Sequence, residues 1–566
     1  MYARVTKSAS VNRLRRNDQI HDTPIGKVSL LLTQMQLAAL VIALLVALSP
    51  VGAGAAQQPM FGRLFPELPA YDAPSDDALT ALTCGQNPTV PSPLCTLQTQ
   101  VLPTGPKMGP LFDQNIAAPS APNDDNSVYY SGPCPAGVGP PCPDPSKDVP
   151  SFFTYFGQFL DHDMTLDTLP LPTQFVDPNT IPNNRDPRLN LDSVYGGGPE
   201  ANPELYEADE KHLKVNGLDL PRDPSCVVVP TPTASSLTPC PAILVEGRND
   251  ENQVIAQIHV AFLRAHNQLI DAGYGFGNAR QLMKWRHQWI VVHEFLPEVL
   301  DPEVYDDVFR PDGSIRTKYY DPKKAAKAEM PVEFSVAAYR FGHSQVRKAY
   351  IMTPGGPKLQ VFNNFSAADL HGGRQIATDH LIFWPNFLPV DGQLSTGQAG
   401  TGQVAANISR KIDTLLSSGL FGLPIPGAEP EGSAILAKRN LQRAREYGLP
   451  SGQAVAARLQ LDDSSIHVYT NAEIAASIPR LAFLDPDALN YDASYLGEAP
   501  LWLYILAESK IVQNGAKLGP VGSRIVAEVM GGLLAADTKS YYNKGWTPDG
   551  GVFRAQDLLR EAGVLP

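Results

Sequence analysis

Cysteine is scarce, with 6 residues in a chain of 566, and no two of them form a C-x-x-C pair. That spacing excludes a zinc ribbon and a thioredoxin-type redox site. Positive charge is also in short supply. Lys and Arg total 45 against 58 Asp and Glu, a net charge of -13, and a field of that sign does not favour nucleic acid or an anionic membrane surface. Beyond one apolar stretch near the N-terminus, no segment is long and apolar enough to span a bilayer. What is abundant is proline, at 53 residues, about twice the usual share of roughly 5%. Much of the chain must therefore be ordered, non-repetitive loop. With 43% hydrophobic residues, it still has the material for a large core.

The apolar stretch at 37–48, "LAALVIALLVAL", is too short to span comfortably and is followed by Ala53 and Ala55 in a small-x-small pattern. The 36 residues before it carry six basic and two acidic side chains, net +4. Residues 1–56 are expected to be an export segment. Taking +4 from -13 leaves -17 for the remainder. The cysteines fall into three local pairs, Cys84/Cys95, Cys134/Cys142 and Cys226/Cys240. Their even number suits disulfides in a secreted or periplasmic protein, and nearest-neighbour bridging is the simplest pairing.

Residues 57–149 are rich in Pro, Gly, Asn and Asp without periodicity, which predicts an irregular arm around a core. From 150 to about 560 the pattern is helical. Apolar residues recur at helical spacing over 254–273, 279–300, 333–350 and 522–537, the first ending in Gly273. Strand signals are few. The expected fold is mainly α: one large helical domain with long ordered loops and little β structure.

Within it, "FTYFGQFLDHDMTLD" (153–167) places His162 between Asp161 and Asp163. Solvated acids at a helix end, or a hydrolytic metal site, would each account for a bare Asp-His-Asp. On a helix, Gln158, Asp161 and His162 share one face, whereas Asp163 is turned about 100° from His162. A hydrolytic site would more naturally aim both acids at the metal.

"GQFLDHDM" resembles the distal-helix signature of the animal-type haem peroxidases, the peroxidase–cyclooxygenase superfamily. Four more segments resemble that family in the required order. They are "DPRLNLDSVYGGG" (186–198) for a calcium loop, "EGRNDEN" (246–252) for the distal arginine, "YRFGHS" (339–344) for the proximal histidine, and "RNLQRAREYGLPSG" (439–452) for an asparagine-arginine segment. Together they span roughly residues 105 to 545.

The resemblance implies haem b held by His343, with Asn440 on its other ring nitrogen. It implies His162 as the distal acid-base group, Arg248 as the stabiliser of developing charge, and Gln158 as a positioner of water or halide. Asp161 and Glu251 match the carboxylates that form haem esters in mammalian members, and Arg340 and Arg443 match propionate partners. Asp163, Asp186, the Arg188 carbonyl, Asn190 and Asp192 would form a calcium shell. Two departures stand out. Asn252 replaces the methionine that bonds haem in some mammalian members, and Asn190 replaces a calcium aspartate. His259, His266, His287 and His293 have poor chelate spacings and read as structural. Asn364 and Asn407 begin N-x-S sequons.

The expected function is reduction of hydrogen peroxide with oxidation of small donors: halides, thiocyanate or phenols. No nucleic acid and no stable membrane span are expected. Two alternatives stay open, a fatty-acid dioxygenase on the same fold and a non-catalytic haem-bearing adhesion or matrix protein. Retention of His162, Arg248 and His343 speaks against the second. Against the first, Arg340 rather than a tyrosine lies three residues before His343. On an α-helix, Tyr339 at four residues should face about 100° away from that position.

Overall fold

The computed structural model describes residues 59–71, 113–114, 149–169, 174–226, 238–322, 328–362, 369–391, 407–421, 423, 436–477 and 498–565. The proposed export segment, most of the Pro-rich arm, four of the cysteines and Asn364 lie outside them. The described residues fall in one compact unit, Pro59–Pro566. Cys226 and Cys240 are bridged, with Cα atoms 5.7 Å apart.

Helix α1, Ser151–Met164, forms because Phe152, Phe153, Phe156, Phe159 and Leu160 supply apolar atoms at helical spacing. Pro150 leads into it with φ -60, and Thr165 ends it in extended backbone. Phe152 stacks on Phe156, and Phe159 on Phe262 of the next long helix, with centroids 5.6 and 4.7 Å apart. Burying each phenyl ring stabilises the fold by about 1.5–3 kcal/mol.

Helix α2, Gln253–Asp271, begins where the Asn252 side chain accepts from the backbone N–H groups of Val254 and Ile255, a cap worth about 1 kcal/mol. It ends before Gly273, whose φ of +93 only glycine adopts cheaply. Helix α3, Phe276–Ile290, runs on through a wider π-turn at Val291–Phe295 into Leu296–Val299. Helices α4 (Leu436–Glu446), α5 (Leu501–Gln513) and α6 (Pro520–Ala536) complete the bundle around the site. Trp502, Tyr504 and Leu506 of α5 are fully buried.

The β structure is limited to short pairs: 61–62 with 330–331, 113–114 with 415–416, and a hairpin of 349–351 with 358–360. Mainly α with little β is therefore the observed class. The strand at 61–62 also shows the arm's beginning seated in the core, where the Leu64 and Phe65 N–H groups donate to the buried Glu333 carboxylate.

One expected helix is absent. Instead of a regular helix over 333–350, the chain winds as a π-turn at Glu333–Ala337, a tight 3-10 turn at Ala338–Phe341 and a short α-turn at Gly342–Gln345, before a strand at Ala349–Ile351. A π-turn brings residues five apart together. Phe334 and Tyr339 accordingly stack at 4.7 Å.

Candidate active site

Helix α1, the turn at Gly247–Asp250, the wound segment 333–345 and α4 converge on a cavity of about 570 Å³. Gln158, Asp161, His162, Arg248, Glu251, Arg340, His343, Asn440 and Arg443 all line it. All nine residues expected for catalysis and haem binding thus meet in one place.

On the α1 side, His162 is buried, and its Nδ1 lies 2.9 Å from the Asn249 Oδ1. Asn249 in turn donates from Nδ2 to Nδ1 of His259 at 3.0 Å. This chain keeps the proton on His162 Nδ1 and a lone pair on Nε2. Burial, and then the Arg248 charge, push the His162 pKa down to about 4, so the ring is neutral in neutral solution. Beside it, Arg248 donates through Nε and Nη2 to the two oxygens of Glu246, at 2.9 and 2.8 Å, and reaches the Thr165 carbonyl. Glu246 is itself buried and is shared with Arg185, whose Nε and Nη2 donate to Oε2 at 2.9 and 2.8 Å. Although burial works against the charged form, the two guanidiniums hold the Glu246 carboxyl well below the usual range.

The two carboxyl groups of the cavity wall differ. Burial pulls Asp161 upward, but Arg340 and Arg248 outweigh it and leave the pKa lowered. Asp161 accepts from Arg340 Nη1 at 3.2 Å and from the Thr165 hydroxyl at 2.9 Å. Burial dominates at Glu251 and pushes it up to about 7. Gln158 bridges Glu251 and Asn252, donating to the first and accepting from the Asn252 Nδ2 at 3.3 Å. The residue at the departed methionine position thus caps α2 and steadies Gln158. Residues 370–373 strap this corner down. Gln253 and Gly372 form backbone bonds with Leu370 and Glu251, and a Cβ at position 372 would overlap the Asp250 carbonyl.

Across the cavity, the Asn440 side-chain amide lies 2.9 Å from His343 Nδ1. The atom placed there is Nδ2; a half-turn of the amide, which exchanges its nitrogen and oxygen, would put an acceptor on Nδ1–H and leave the Nε2 lone pair for a metal. Burial pushes the His343 pKa down to about 3, which leaves the ring neutral. The Trp502 ring packs edge-on to His343 at 6.3 Å, and its Nε1 donates to the Arg340 carbonyl. Arg443 pairs with Asp167 at 2.7 Å, and the Tyr447 hydroxyl donates to the same carboxylate. Two neutral imidazoles on opposite walls of one cavity, each with its Nδ1 held by an asparagine, fit a haem between them. His343 would ligate the iron, and Arg340 and Arg443, which line the same cavity, would supply cations for the propionates.

One expectation needs correction, and two further sets of residues are placed by the structure. First, Tyr339 lines this cavity, and its buried hydroxyl has no hydrogen-bond partner. The 100° separation assumed a regular helix, and the π and 3-10 turns remove that assumption. Second, Asn407 is fully buried, with Oδ1 and Nδ2 both bonded to Ile351, so its sequon is closed to glycosylation in the folded protein. Third, the residues of the expected calcium shell are placed as follows. Asp163, fully buried behind α1, accepts from Leu191 N, Ser193 N and Ser193 Oγ at 3.0, 3.1 and 2.7 Å. Asp186 is taken by Arg188 and by Asn190 Nδ2, both at 2.7 Å. Asn190 Oδ1 accepts from Asp192 N, and the Arg188 carbonyl accepts from Gln288. Of the proposed shell, Asp192 Oδ1 is the buried side-chain oxygen left unsatisfied. A calcium ion takes six to eight oxygens.

Sequence inspection missed Asn249, Glu246 and Arg185. Asn249 and Glu246 lie inside the quoted "EGRNDEN", but their partners are 87 and 61 residues away, beyond what spacing reveals.

With this geometry in view, comparison with known proteins is informative. A family profile described as animal haem peroxidase matches residues 172–558, a span that holds Arg248, His343 and Asn440 and starts just after α1. Thyroid peroxidase of Canis lupus familiaris is 26% identical over 403 residues, an alignment covering 64% of this chain and 38% of that protein. A peroxidase-like protein of Margaritifera margaritifera is 26% identical over 376 residues, covering 53% of this chain and 44% of the relative. The chain thus spans less than half the length of these relatives. Among solved structures, peroxidase A from Dictyostelium discoideum superposes with a TM-score of 0.50 at 19% identity, over 78% of this chain and 88% of that one; this similarity concerns the fold. No helix among the described residues is long and apolar enough to cross a membrane. The extent of the family match makes this chain a member of the animal haem peroxidase family.

Proposed function

We propose that the chain is a haem peroxidase that reduces hydrogen peroxide and oxidises small donors. The observation that carries this reading is the opposition across one cavity of His162 with Arg248 and His343 with Asn440. Bound haem supplies an iron that binds peroxide and holds its oxidising equivalents. His162 takes the proton from the near peroxide oxygen through Nε2 and delivers it to the leaving oxygen. A ring whose burial favours the neutral form gives that proton up readily. Arg248, its other nitrogens fixed by Glu246 and Thr165, stabilises the negative charge that grows as the O–O bond breaks. Gln158 is held by Glu251 and Asn252 beside this path, where it orients water or a small anion.

The donors proposed are halides, thiocyanate or phenols. A second reading, fatty-acid oxygenation, draws support from Tyr339 on the cavity wall. One assay separates the two. Haem-loaded protein should oxidise iodide, thiocyanate or a phenol only when peroxide is present, and should take up no dioxygen with linoleate. Peroxide-primed dioxygen uptake with linoleate, lost in Tyr339→Phe, would transfer the assignment to the oxygenase.

Asp161 and Glu251 are the carboxyl groups proposed to carry ester links to haem. After exposure to peroxide, acidified organic solvent should leave part of the haem on the protein, and peptide mass spectrometry should place it on these two residues. Complete extraction would refute the links without touching the peroxidase reading.

A further inference from the structure

The Asn249 side chain stands between two imidazoles. Its Oδ1 is 2.9 Å from Nδ1 of His162 and its Nδ2 is 3.0 Å from Nδ1 of His259 on α2, and among the described residues it makes no other side-chain hydrogen bond. All three residues are buried, so water offers no alternative partner. Phe159 packs edge-on to the His259 ring with centroids 6.0 Å apart. The remaining His259 nitrogen, Nε2, is buried without a hydrogen-bond partner. Asn249 is therefore the hydrogen-bonding group that bears on the tautomer of both rings.

A neutral imidazole carries its proton on one nitrogen or the other. An amide has an acceptor on one side and donors on the other, and exchanging the two leaves its outline unchanged. The chain of three thus has two self-consistent arrangements. In the one seen, Nδ2 of Asn249 donates to His259, whose proton is then on Nε2. Oδ1 accepts from Nδ1–H of His162, whose Nε2 keeps its lone pair. In the exchanged one, His259 donates from Nδ1 and the amide donates to His162, which then carries its proton on Nε2 and cannot accept another there. While His162 holds the peroxide proton, both of its nitrogens bear hydrogen. The first arrangement gives its Nδ1–H an acceptor, whereas the second sets two donors against each other.

We propose that Asn249 and His259 together lock the tautomer of His162. By accepting from the Asn249 amide, buried His259 turns the amide oxygen toward His162 and keeps the distal Nε2 ready for the peroxide proton. That proton passes from peroxide to Nε2 and on to the leaving oxygen, so the lock is unchanged after each turnover. Asn249 and His259 do not line the cavity; they are positioning residues, and their role rests on the reading of His162 as the acid-base group.

Nitrogen NMR of haem-loaded protein with labelled histidine, in the diamagnetic ferrous carbon monoxide complex, reads the tautomers. Wild type should show His162 protonated on Nδ1 and His259 on Nε2. Either ring protonated on its other nitrogen would overturn the proposal. His259→Phe removes the acceptor and lets the amide turn. A set of His162 signals protonated on Nε2 should then appear, and the peroxide reaction should slow by about 10- to 100-fold, the range for loss of a partner that orients an imidazole, with haem content unchanged. His259→Asn, whose oxygen can stand near the Nδ1 position, should recover part of the rate. A His259→Phe protein with the wild-type tautomer would also overturn the proposal. So would an unchanged rate in a protein whose His162→Ala variant is slow. If His162→Ala itself reacts like wild type, the peroxidase reading fails instead, and the two failures are distinct. Should His259→Phe not fold, the wild-type tautomer pattern still decides.

Discussion

His162→Ala should retain haem and slow the reaction with hydrogen peroxide by about 10² to 10⁴, or roughly 3 to 5 kcal/mol of barrier. The ring is buried, neutral and presented by Asn249 with its Nε2 lone pair available. Neither nearby imidazole replaces it: His259 lies behind Asn249 with its Nδ1 engaged, and His371, which also lines the cavity, has its Nδ1 paired with Asp369. Arg248 remains clamped by Glu246, so charge stabilisation survives and the loss reports proton transfer. Stopped-flow absorbance of haem-loaded protein mixed with excess peroxide reads the effect. A variant reacting at the wild-type rate would remove His162 from the mechanism.

His343→Ala should lose nearly all its haem. Peroxidase-type haem iron is held by a single proximal imidazole, and among the cavity residues His343 is the one backed by a side-chain amide on α4 and by the Trp502 ring. The ring lies on a cavity wall, so its removal enlarges an existing space and should leave the fold intact, which circular dichroism can verify. The haem-to-protein ratio after gel filtration is the measurement. A full complement of haem, with an unchanged spectrum, would show that another residue is the ligand.

Helices α1 and α2 were legible because their phenylalanines and aliphatics recur at helical spacing and Gly273 marks the end of the second; the Asn252 cap emerged only from the structure. The nine cavity residues were legible because each sits in a short motif whose residues stay close in space. Legibility stopped where non-α winding or long-range pairing took over. Tyr339 faces the cavity because a π-turn and a 3-10 turn break the 100° step that places residues on a regular helix. In the 186–195 loop, left-handed Leu189 and Leu191 turn backbone N–H groups toward Asp163, a contact that spacing does not announce. Glu246 between Arg185 and Arg248 is a contact made by loop folding, and no periodicity announces it. Asn407 matched a surface sequon, yet the Ile351 backbone claims both ends of its amide.

The pH dependence of the peroxide reaction in the wild-type protein tests the central claim most directly. His162 must be neutral to accept the proton, and burial with the Arg248 charge holds its pKa at about 4. The second-order rate constant should therefore be flat from neutral pH down to about pH 5 and fall below it as the ring protonates. His162→Ala should lack that fall. An acid limb centred near 6.5, the value for an imidazole in water, or a profile identical in wild type and His162→Ala, would contradict a buried His162 acting as the base.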